Sequence, residues 1–236
     1  MSTECIAEIA TSHGGNISLA EEMVAAAADS GAHTVKFQHF TLSKLNRADP
    51  QREWLEQSHL DERATERLMK ACQREGVQFL STPFDSDAWL MLNRLGCHRF
   101  KVASTGVVPS GCIGYSIIKS WPWGRTDRVS ALAKMGRLGV EAHLTAIPLY
   151  PTPLEAISAV PLLDGWSDHT IGIAACQHML SKGARIIEAH FCLPGKSRQM
   201  IFDKTPQEFR QIRDWSDTVQ TMSTGVATHF RERWRA

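Results

Sequence analysis

The sequence predicts one α/β barrel of the TIM type, a (β/α)₈ barrel of parallel strands surrounded by helices. Two observations predict it. Short apolar segments rich in β-branched residues alternate along the chain with longer segments of helical period, a pattern typical of βα units. Polar and ionisable residues also recur where these apolar segments end, and in a parallel barrel all such ends meet at one mouth.

Seven strands are predicted from the apolar segments. In chain order they are Cys5 to Ala10, Thr34 to Gln38, Gln78 to Thr82, Phe100 to Ala103, Val140 to Ile147, Gly165 to His169 and Ala184 to Phe191. Helical spacing fills most of the intervals between them. The predicted helices are Leu19 to Ser30, Asp61 to Glu75, Asp85 to Leu95, Pro153 to Val160, Ile171 to Lys182 and Pro206 to Met222.

An eighth strand, the fifth in chain order, is the weak point of this pattern. Thr105 to Gly139 must supply a helix, a strand and another helix if the barrel is to close. Its only strand candidate is Ser120 to Trp123, and Pro122 cannot donate to a sheet ladder. We therefore expect an irregular or degraded fifth strand and a thin or open wall. Trp121 and Trp123 then either fill the gap with apolar surface or form an exposed patch for a partner or a second copy.

The composition favours a single domain. The chain has 236 residues, 43% of them hydrophobic, and contains no repeat, low-complexity tract or Pro/Gly/Ser linker. We expect residues 1–236 to form one barrel domain, with 224–236 as a helix end or frayed tail. Six widely spaced cysteines without a C-x-x-C pair predict reduced thiols and not a disulfide framework.

Charge and hydropathy argue against several classes of partner. The formal net charge is +1 with Lys and Arg scattered, so no basic surface for nucleic acid or an acidic membrane is predicted. The N-terminus lacks the basic start and long apolar core of a secretory signal, and no apolar run reaches the roughly 20 residues that span a bilayer. These features predict a cytoplasmic protein whose partners are small molecules.

Two lysines, Lys36 and Lys101, each stand between two apolar residues of a predicted strand. A buried ammonium needs an anionic partner or a function to offset its lost hydration. One alternative is that both pair with carboxylates in the core. We give more weight to an anionic ligand, because a buried ion pair is a weak source of stability. Together with the hydroxyls of Thr82, Ser104 and Ser167, the lysines could surround a phosphorylated, carboxylated molecule.

Two histidines, His169 and His190, end successive predicted strands, so both can point into the mouth. A lone histidine is more often a structural hydrogen-bonding group, but a pair at consecutive strand ends favours a metal site. With water and the nearby carboxylates of Asp168 and Glu188, the imidazoles predict a site for Mn²⁺, with Mg²⁺ or a similar divalent ion as alternatives.

Six motifs follow one another in an order compatible with the barrel. They are the opening AEIATSHGGNISLAEEMVAAAADSGAHTVKFQ, FLSTPFD, KVAS, YPTP, WSDHTIGIA and IIEAHF. Each is weak alone, but six in order across nearly the whole chain are specific. By these motifs the chain resembles the sialic acid synthase (N-acetylneuraminate synthase) family, whose members condense phosphoenolpyruvate with an amino sugar.

The resemblance implies roles for particular residues of this chain. Catalytic positions near the substrates correspond to Glu8, beside the metal and the sugar's aldehyde end, and to Tyr150 and Glu188. His169 and His190 correspond to the metal ligands. The substrate-binding positions, most of which hold phosphoenolpyruvate, correspond to Lys36, Gln38, Thr82, Lys101, Ser104 and Ser167.

The reaction that the resemblance implies is an aldol-type condensation. With a divalent metal as Lewis acid at the open-chain sugar's aldehyde, the enol carbon of phosphoenolpyruvate attacks the aldehyde, water adds to the resulting cationic carbon and phosphate leaves. The product is a 2-keto-3-deoxy sugar acid. Replacing either lysine by methionine should then abolish phosphoenolpyruvate binding and leave the fold intact, because the ligand and not the core uses the charge.

The chain also departs from the family at several places. The strand S-T-G-M, whose serine helps to hold phosphate, has no clear match in the shortened interval between KVAS and YPTP. Pro148 stands where relatives have an amide or small polar residue. The acidic G-P-D-H segment is missing, and Asp203 can replace it only if its loop folds back. We also expect the barrel domain alone, without the family's C-terminal antifreeze-like domain, so that a homodimer or a partner protein would supply the missing cap.

Three functions therefore stay open. The first, which we favour, is an active synthase-like enzyme, with a partner protein supplying the cap or with a smaller sugar. The second is a degenerate relative that binds a sugar or phosphate, or acts as an accessory protein, and the departures favour it. The third is another barrel enzyme, such as a lyase or isomerase acting on a phosphorylated sugar, in which the lysines serve a Schiff base or phosphate.

Overall fold

Eight parallel strands form a closed barrel, paired in chain order, in a computed structural model that describes residues 3–104, 106, 115–123 and 140–233, with side chains up to 223. This confirms the predicted TIM-type barrel. The strands are β1 Glu4–Ala10, β2 Thr34–His39, β3 Gln78–Pro83, β4 Arg99–Val102, β5 Ser116–Pro122, β6 Ala142–Ala146, β7 Gly165–Asp168 and β8 Ile186–His190.

Helices follow most of the strands. Within the described residues they are α1 Ile17–Asp29, α2 Arg52–Gln57, α3 Glu62–Arg74, α4 Ser86–Arg94, α5 Ala174–Ser181 and α6 Pro206–Arg233, with 3₁₀ segments at Leu42–Lys44 and Leu154–Ala159. Several begin at a side-chain cap that satisfies a free backbone N–H of the first turn. Asn16 accepts from the N–H of Leu19, and Asp61 accepts from that of Ala64.

The seven strands predicted from apolar segments all occur, with ends that differ by at most two residues. Three details of the helix prediction are corrected. The segment predicted as a helix from Pro153 to Val160 is a 3₁₀ segment, the short helix α2 was not predicted, and α6 continues beyond Met222 to Arg233. Residues 224–233 therefore match the first of the two alternatives, a helix end.

The fifth strand closes the barrel wall, which corrects the expectation of an irregular strand and an open wall. β5 pairs with β4 from Ser116 to Lys119 and with β6 from Ile118 to Pro122. Pro122 does not break the strand because it is the last residue, where a missing N–H removes at most one ladder bond. The helices expected around β5 fall on residues 107–114 and 124–139, outside the described residues.

The two tryptophans at the end of β5 are half-buried against this closed wall. Trp121 Nε1 donates to His143 Nδ1 at 3.1 Å, and Lys119 Nζ lies 5.1 Å from the centroid of the Trp121 ring. Trp123 packs against the apolar cluster between the barrel and its helices. The tryptophans therefore cover a continuous wall and do not fill a gap.

The barrel interior is apolar at its floor and polar above it. Six buried residues pack together at the floor: Ile6, Leu80, Ile118, Ala142, Leu144 and Ile186. Because side chains alternate along a strand, the residue two positions further on points to the same side. That step leads from Ile6 to Glu8, from Leu80 to Thr82 and from Ile186 to Glu188. The alternation therefore places polar groups on an apolar base, at the end where such barrels carry their sites.

Five of the six cysteines lie among the described residues. Cys5, Cys72, Cys97, Cys176 and Cys192 are buried and free, while Cys112 lies outside the described residues. In the part of the chain that the structure describes, every helix is too short or too polar to cross a bilayer.

Candidate active site

A cavity of about 350 Å³ opens at the C-terminal ends of the strands, a volume within the usual range for small-molecule sites. The eleven residues to which the resemblance gives catalytic, substrate-binding or metal-binding roles all line it. They are Glu8, Lys36, Gln38, Thr82, Lys101, Ser104, Tyr150, Ser167, His169, Glu188 and His190. The remaining lining residues are Phe84, Ala103, Ser120, Ala146 and Pro148.

Four charged side chains alternate in sign at the base of the cavity. Lys36 Nζ lies 3.0 Å from Glu8 Oε2 and 3.1 Å from Glu188 Oε2. Lys101 Nζ lies 2.9 Å from Glu188 Oε1. All four residues are at most 5% exposed. The alternative given less weight in the sequence, lysines paired with buried carboxylates, is therefore present, but the same lysines also line the cavity.

The charges of these four groups set their protonation. Burial raises the pKa of Glu8, and Lys36 offsets this only in part. Burial alone would also raise the pKa of Glu188, but Lys101 and Lys36 hold that pKa below its ordinary value. Burial lowers the pKa of Lys101 to about 8, partly countered by Glu188. Glu8 is therefore the carboxyl of this group that takes up a proton more easily.

Hydroxyl groups surround the two lysines. Thr82 Oγ1 accepts from Lys36 Nζ at 3.4 Å, and Ser167 Oγ donates to Glu188 Oε1 at 2.8 Å. Ser104 also lines the cavity. These groups have the donors that phosphate and carboxylate oxygens require.

Ser120 is a further hydroxyl that the sequence analysis missed. It lies on β5, is 2% exposed and lines the cavity, and its Oγ has no hydrogen-bond partner among the described residues. A buried hydroxyl without a partner is unfavourable unless a ligand or water completes it. The phosphate donor thought to be lost with the S-T-G-M strand therefore has a candidate replacement on an intact β5. The alternation from Ile118 to Ser120 was a signal that could have found it.

The two histidines lie side by side above the charged groups. Their ring centroids are 5.5 Å apart. Burial lowers the pKa of His169 to about 4, and burial with the neighbouring His169 holds the pKa of His190 well below its ordinary value. Nδ1 of His169 lies 3.3 Å from the carbonyl oxygen of Ile147, which can only accept, so the proton is on Nδ1 and Nε2 keeps its lone pair. Both rings are therefore neutral, as metal ligation requires.

Asp203 reaches this pair because the segment after β8 folds back. The backbone of Lys204 bridges to Phe191, which brings Asp203 Oδ1 to 3.8 Å from His190 Nδ1. That oxygen is buried without a hydrogen-bond partner among the described residues, while Met200 N donates to Oδ2. The condition set for Asp203 to replace the missing acidic segment is therefore met.

Asp168 does not belong to the cavity, contrary to the expectation that it lies near a metal. Alternation points Ser167 inward and Asp168 outward, where its Oδ2 pairs with Lys204 Nζ at 2.8 Å. The period of two along β7 already predicts this outward orientation of Asp168 from the sequence.

The arrangement fits a divalent ion in part. Two neutral imidazoles and the unpartnered Asp203 oxygen are donors that Mn²⁺ and similar ions accept. Among the described residues, no three His, Cys, Asp or Glu side chains already converge as a complete cluster. An ion held by His169 and His190 would thus keep positions for water or substrate, as catalytic metal sites do.

The outer part of the cavity mixes polar and aromatic groups. Gln38 Nε2 donates to Glu8 Oε1 at 3.0 Å, and the Tyr150 ring, 56% exposed, lies with its centroid 4.3 Å from that of His169. Pro148 lines this part and brings no side-chain donor. Of the three departures that fall within the barrel, Pro148 is the one for which the described residues offer no replacement at the same place.

Known proteins match this chain in sequence and in fold. The sequence model of the NeuB family matches residues 23–119 and 141–227. An N,N'-diacetyllegionaminic acid synthase of Campylobacter jejuni is 29% identical over 226 residues, covering 81% of this chain and 68% of the relative. An N,N'-diacetyllegionaminic acid synthase of Legionella pneumophila is 26% identical over 249 residues, covering 88% and 69%.

A solved structure shares the barrel. The N-acetylneuraminic acid synthetase of Leptospira borgpetersenii aligns with a TM-score of 0.81, covering 95% of this chain and 86% of that chain at 21% identity. At this identity the likeness is one of fold.

Proposed function

Because this chain belongs to the NeuB family, we propose that it is a sugar acid synthase that condenses phosphoenolpyruvate with an N-acetylated amino sugar. The observation that carries the proposal is one cavity holding two lysines at its base and two neutral histidines above them. Residues two positions apart on one strand are separated by about 6.6 Å along it. Glu188 of β8 contacts the two lysines, so His190, two residues further on, lies that much closer to the mouth of the cavity. The anionic substrate then lies deep and the sugar lies outside it.

In the proposed reaction the deep residues bind and orient phosphoenolpyruvate. Lys36 and Lys101 balance its negative charge, while Thr82, Ser104, Ser120 and Ser167 donate to its phosphate and carboxylate oxygens. Holding the enol carbon against the sugar's aldehyde turns the encounter of two substrates into a step within one complex. The carbon–carbon bond forms between them, water adds at the former enol carbon, and phosphate leaves.

At the mouth, His169 and His190 would hold a divalent cation, preferably Mn²⁺, with Asp203 alongside. Such an ion would supply Lewis-acid chemistry at the carbonyl end of the sugar. Glu8 pairs in register with His190 of β8, and its carboxylate is bonded to Lys36 and to Gln38. With its raised pKa it is the group best placed to hand a proton to the oxygen of the former aldehyde. Tyr150 would pack against the sugar.

Two findings favour an enzyme over a degenerate binding protein. Ser120 offers a hydroxyl where a phosphate donor was thought lost, and Asp203 brings a carboxylate oxygen to 3.8 Å from His190 Nδ1. Of the departures within the barrel, Pro148 is the one left without a replacement among the described residues, and it lies in the part proposed for the sugar. We infer that Pro148 affects which sugar is accepted and not whether condensation occurs.

Phosphate release from phosphoenolpyruvate tests the proposal. With Mn²⁺ and a panel of N-acetylated hexosamines, including diacetamido sugars, we expect release to depend on one class of sugar. A chelator should abolish release, and added Mn²⁺ should restore it, because two imidazoles alone hold the ion in exchange with solvent. No phosphate release with any sugar would contradict the proposed synthase activity. Release that the chelator does not affect would contradict only the proposed metal site.

The variant Ser120→Ala tests the base of the cavity. Removing one donor to a charged oxygen should raise the KM for phosphoenolpyruvate by about tenfold, since a hydrogen bond to a charged group contributes roughly 1.5–3 kcal/mol. Thermal stability should not fall, because this hydroxyl has no partner among the described residues. Ser116→Ala, at the other end of β5, is the matched control and should leave KM unchanged. A wild-type KM in Ser120→Ala would remove Ser120 from the site.

A further inference from the structure

A buried ion pair outside the cavity joins the end of β7 to residues 191–205, the segment that follows β8. Lys204 Nζ lies 2.8 Å from Asp168 Oδ2, and both side chains are 0% exposed. The same ammonium donates to the carbonyl oxygens of Thr170 at 2.6 Å and Phe202 at 3.0 Å. Three acceptors thus take up the three protons of this lysine.

The carboxylate is equally well bonded. Asp168 Oδ1 accepts from Trp166 Nε1 at 2.8 Å and from Thr170 Oγ1 at 3.0 Å. A buried pair in this condition adds little stability over an apolar pair of similar volume, but it fixes one arrangement of the chain segments that carry it. Its role is therefore best sought in what the two segments present to the cavity.

The Lys204 end of the pair is also bonded through its backbone. Lys204 N donates to the carbonyl oxygen of His190 at 2.8 Å, and Cys192 N donates to that of Lys204 at 3.1 Å. These two bonds hold Lys204 against the end of β8, and the two residues before it, Phe202 and Asp203, are thereby placed near His190. The Phe202 ring centroid then lies 5.1 Å from that of His190 and the Asp203 carboxylate faces the same ring.

The Asp168 end precedes His169 on the chain. Phe202 also lies against His169, with ring centroids 6.1 Å apart, so the aromatic ring meets both histidines. The ion pair lies outside the barrel interior. It thus joins Asp168, which precedes His169, to Lys204, which follows Asp203. No comparable link reaches Lys36 or Lys101 among the described contacts of Lys204.

We propose that the Asp168–Lys204 pair is a latch that positions Asp203 and Phe202 against the two histidines. The inference rests on the proposed function and refines it: the latch serves the sugar end of the cavity and not the phosphoenolpyruvate end. Asp168 and Lys204 are positioning residues, since neither lines the cavity.

The double variant Asp168→Asn/Lys204→Met tests the latch. Removing both charges avoids leaving either one buried alone, so the barrel should still fold. We expect kcat to fall by about 10- to 100-fold and the KM for the sugar to rise, because small misplacements of a site cost this much. The KM for phosphoenolpyruvate should stay within about twofold of wild type, since its ligands lie elsewhere. Lys196→Met, a partly exposed position of the same segment that pairs with Glu22, is the control and should change neither constant.

Amide hydrogen exchange gives a readout that does not need activity. In the double variant the amides of Cys192 and Lys204 should exchange at least about ten times faster, while those of β2 keep the wild-type rate. A double variant with wild-type kinetics and wild-type exchange would overturn the latch. So would a double variant whose KM rises equally for both substrates and whose melting temperature falls. If the wild type proved inactive with every sugar, the proposed function would fail, and exchange at these two amides would still decide whether the pair holds the segment.

Discussion

Lys101→Met is expected to lower kcat/KM for phosphoenolpyruvate by about 10²- to 10³-fold. Lys101 is 2% exposed, lines the cavity and has Glu188 Oε1 as its carboxylate partner. Removing one member of a buried charged contact costs about 2–5 kcal/mol, and each 1.4 kcal/mol is a factor of ten. The loss should fall on phosphoenolpyruvate, because in the proposed reaction the deep lysines and not the histidines meet its charge.

Initial rates of phosphate release against phosphoenolpyruvate concentration measure the effect, with calorimetric binding as a second readout. Lys196→Met removes a lysine of the surface and should behave as wild type. Glu188 keeps Lys36 at 3.1 Å, so the variant should remain folded. An unchanged affinity for phosphoenolpyruvate in a folded Lys101→Met protein would move the anion site away from this lysine.

Lys36→Met is expected to lower the melting temperature by about 6–20 °C. Its ammonium is the one that bridges Glu8 and Glu188, and its loss leaves the Glu8 carboxylate buried without a cation. Breaking a buried pair in this way costs about 3–5 kcal/mol, and at this chain length 1 kcal/mol corresponds to about 2–4 °C. The ion pairs thus change the expectation, drawn from the sequence, that both lysine variants keep the fold intact.

The difference in melting temperature between Lys36→Met and wild type should become smaller as the pH falls. Burial already raises the pKa of Glu8 with Lys36 in place, and losing the lysine raises it further. A carboxyl whose pKa is higher in the folded state than in the unfolded state contributes stability at low pH and loses it as the pH rises through the folded-state pKa. Melting at pH 5 and pH 8 should therefore differ more for the variant than for wild type.

Two variants control this experiment. Adding Glu8→Gln to Lys36→Met removes the uncompensated charge and should recover part of the lost stability. Lys44→Met removes a lysine that is 41% exposed and pairs with Asp85 and Asp87, and such surface pairs contribute little stability. A melting temperature of Lys36→Met within about 2 °C of wild type would show that the carboxylates do not depend on this lysine.

Some features of the site follow from the strand period in the sequence, and others have no local signal. The inward position of Ser120 and the outward position of Asp168 both follow from the period of two along a strand, which the sequence displays. The latch residue Lys204 gave no such signal, because it lies in an irregular segment without periodicity. The fifth strand begins four residues before the candidate Ser120 to Trp123, and Pro122 is its last residue and not an interior one.

The sequence by itself determined the barrel, the position of seven strands and eleven of the sixteen residues that line one cavity. It could do so because strand and helix periods are local properties, and because parallel strands bring all their C-terminal ends to one mouth. Only the tertiary structure decided which charges meet. Lys101 and Glu188 are 87 positions apart in the chain and 2.9 Å apart in space, and Asp203 reaches His190 because a segment folds back. Ion pairs and hydrogen bonds depend on distances of a few tenths of an ångström between remote residues, which no local pattern encodes.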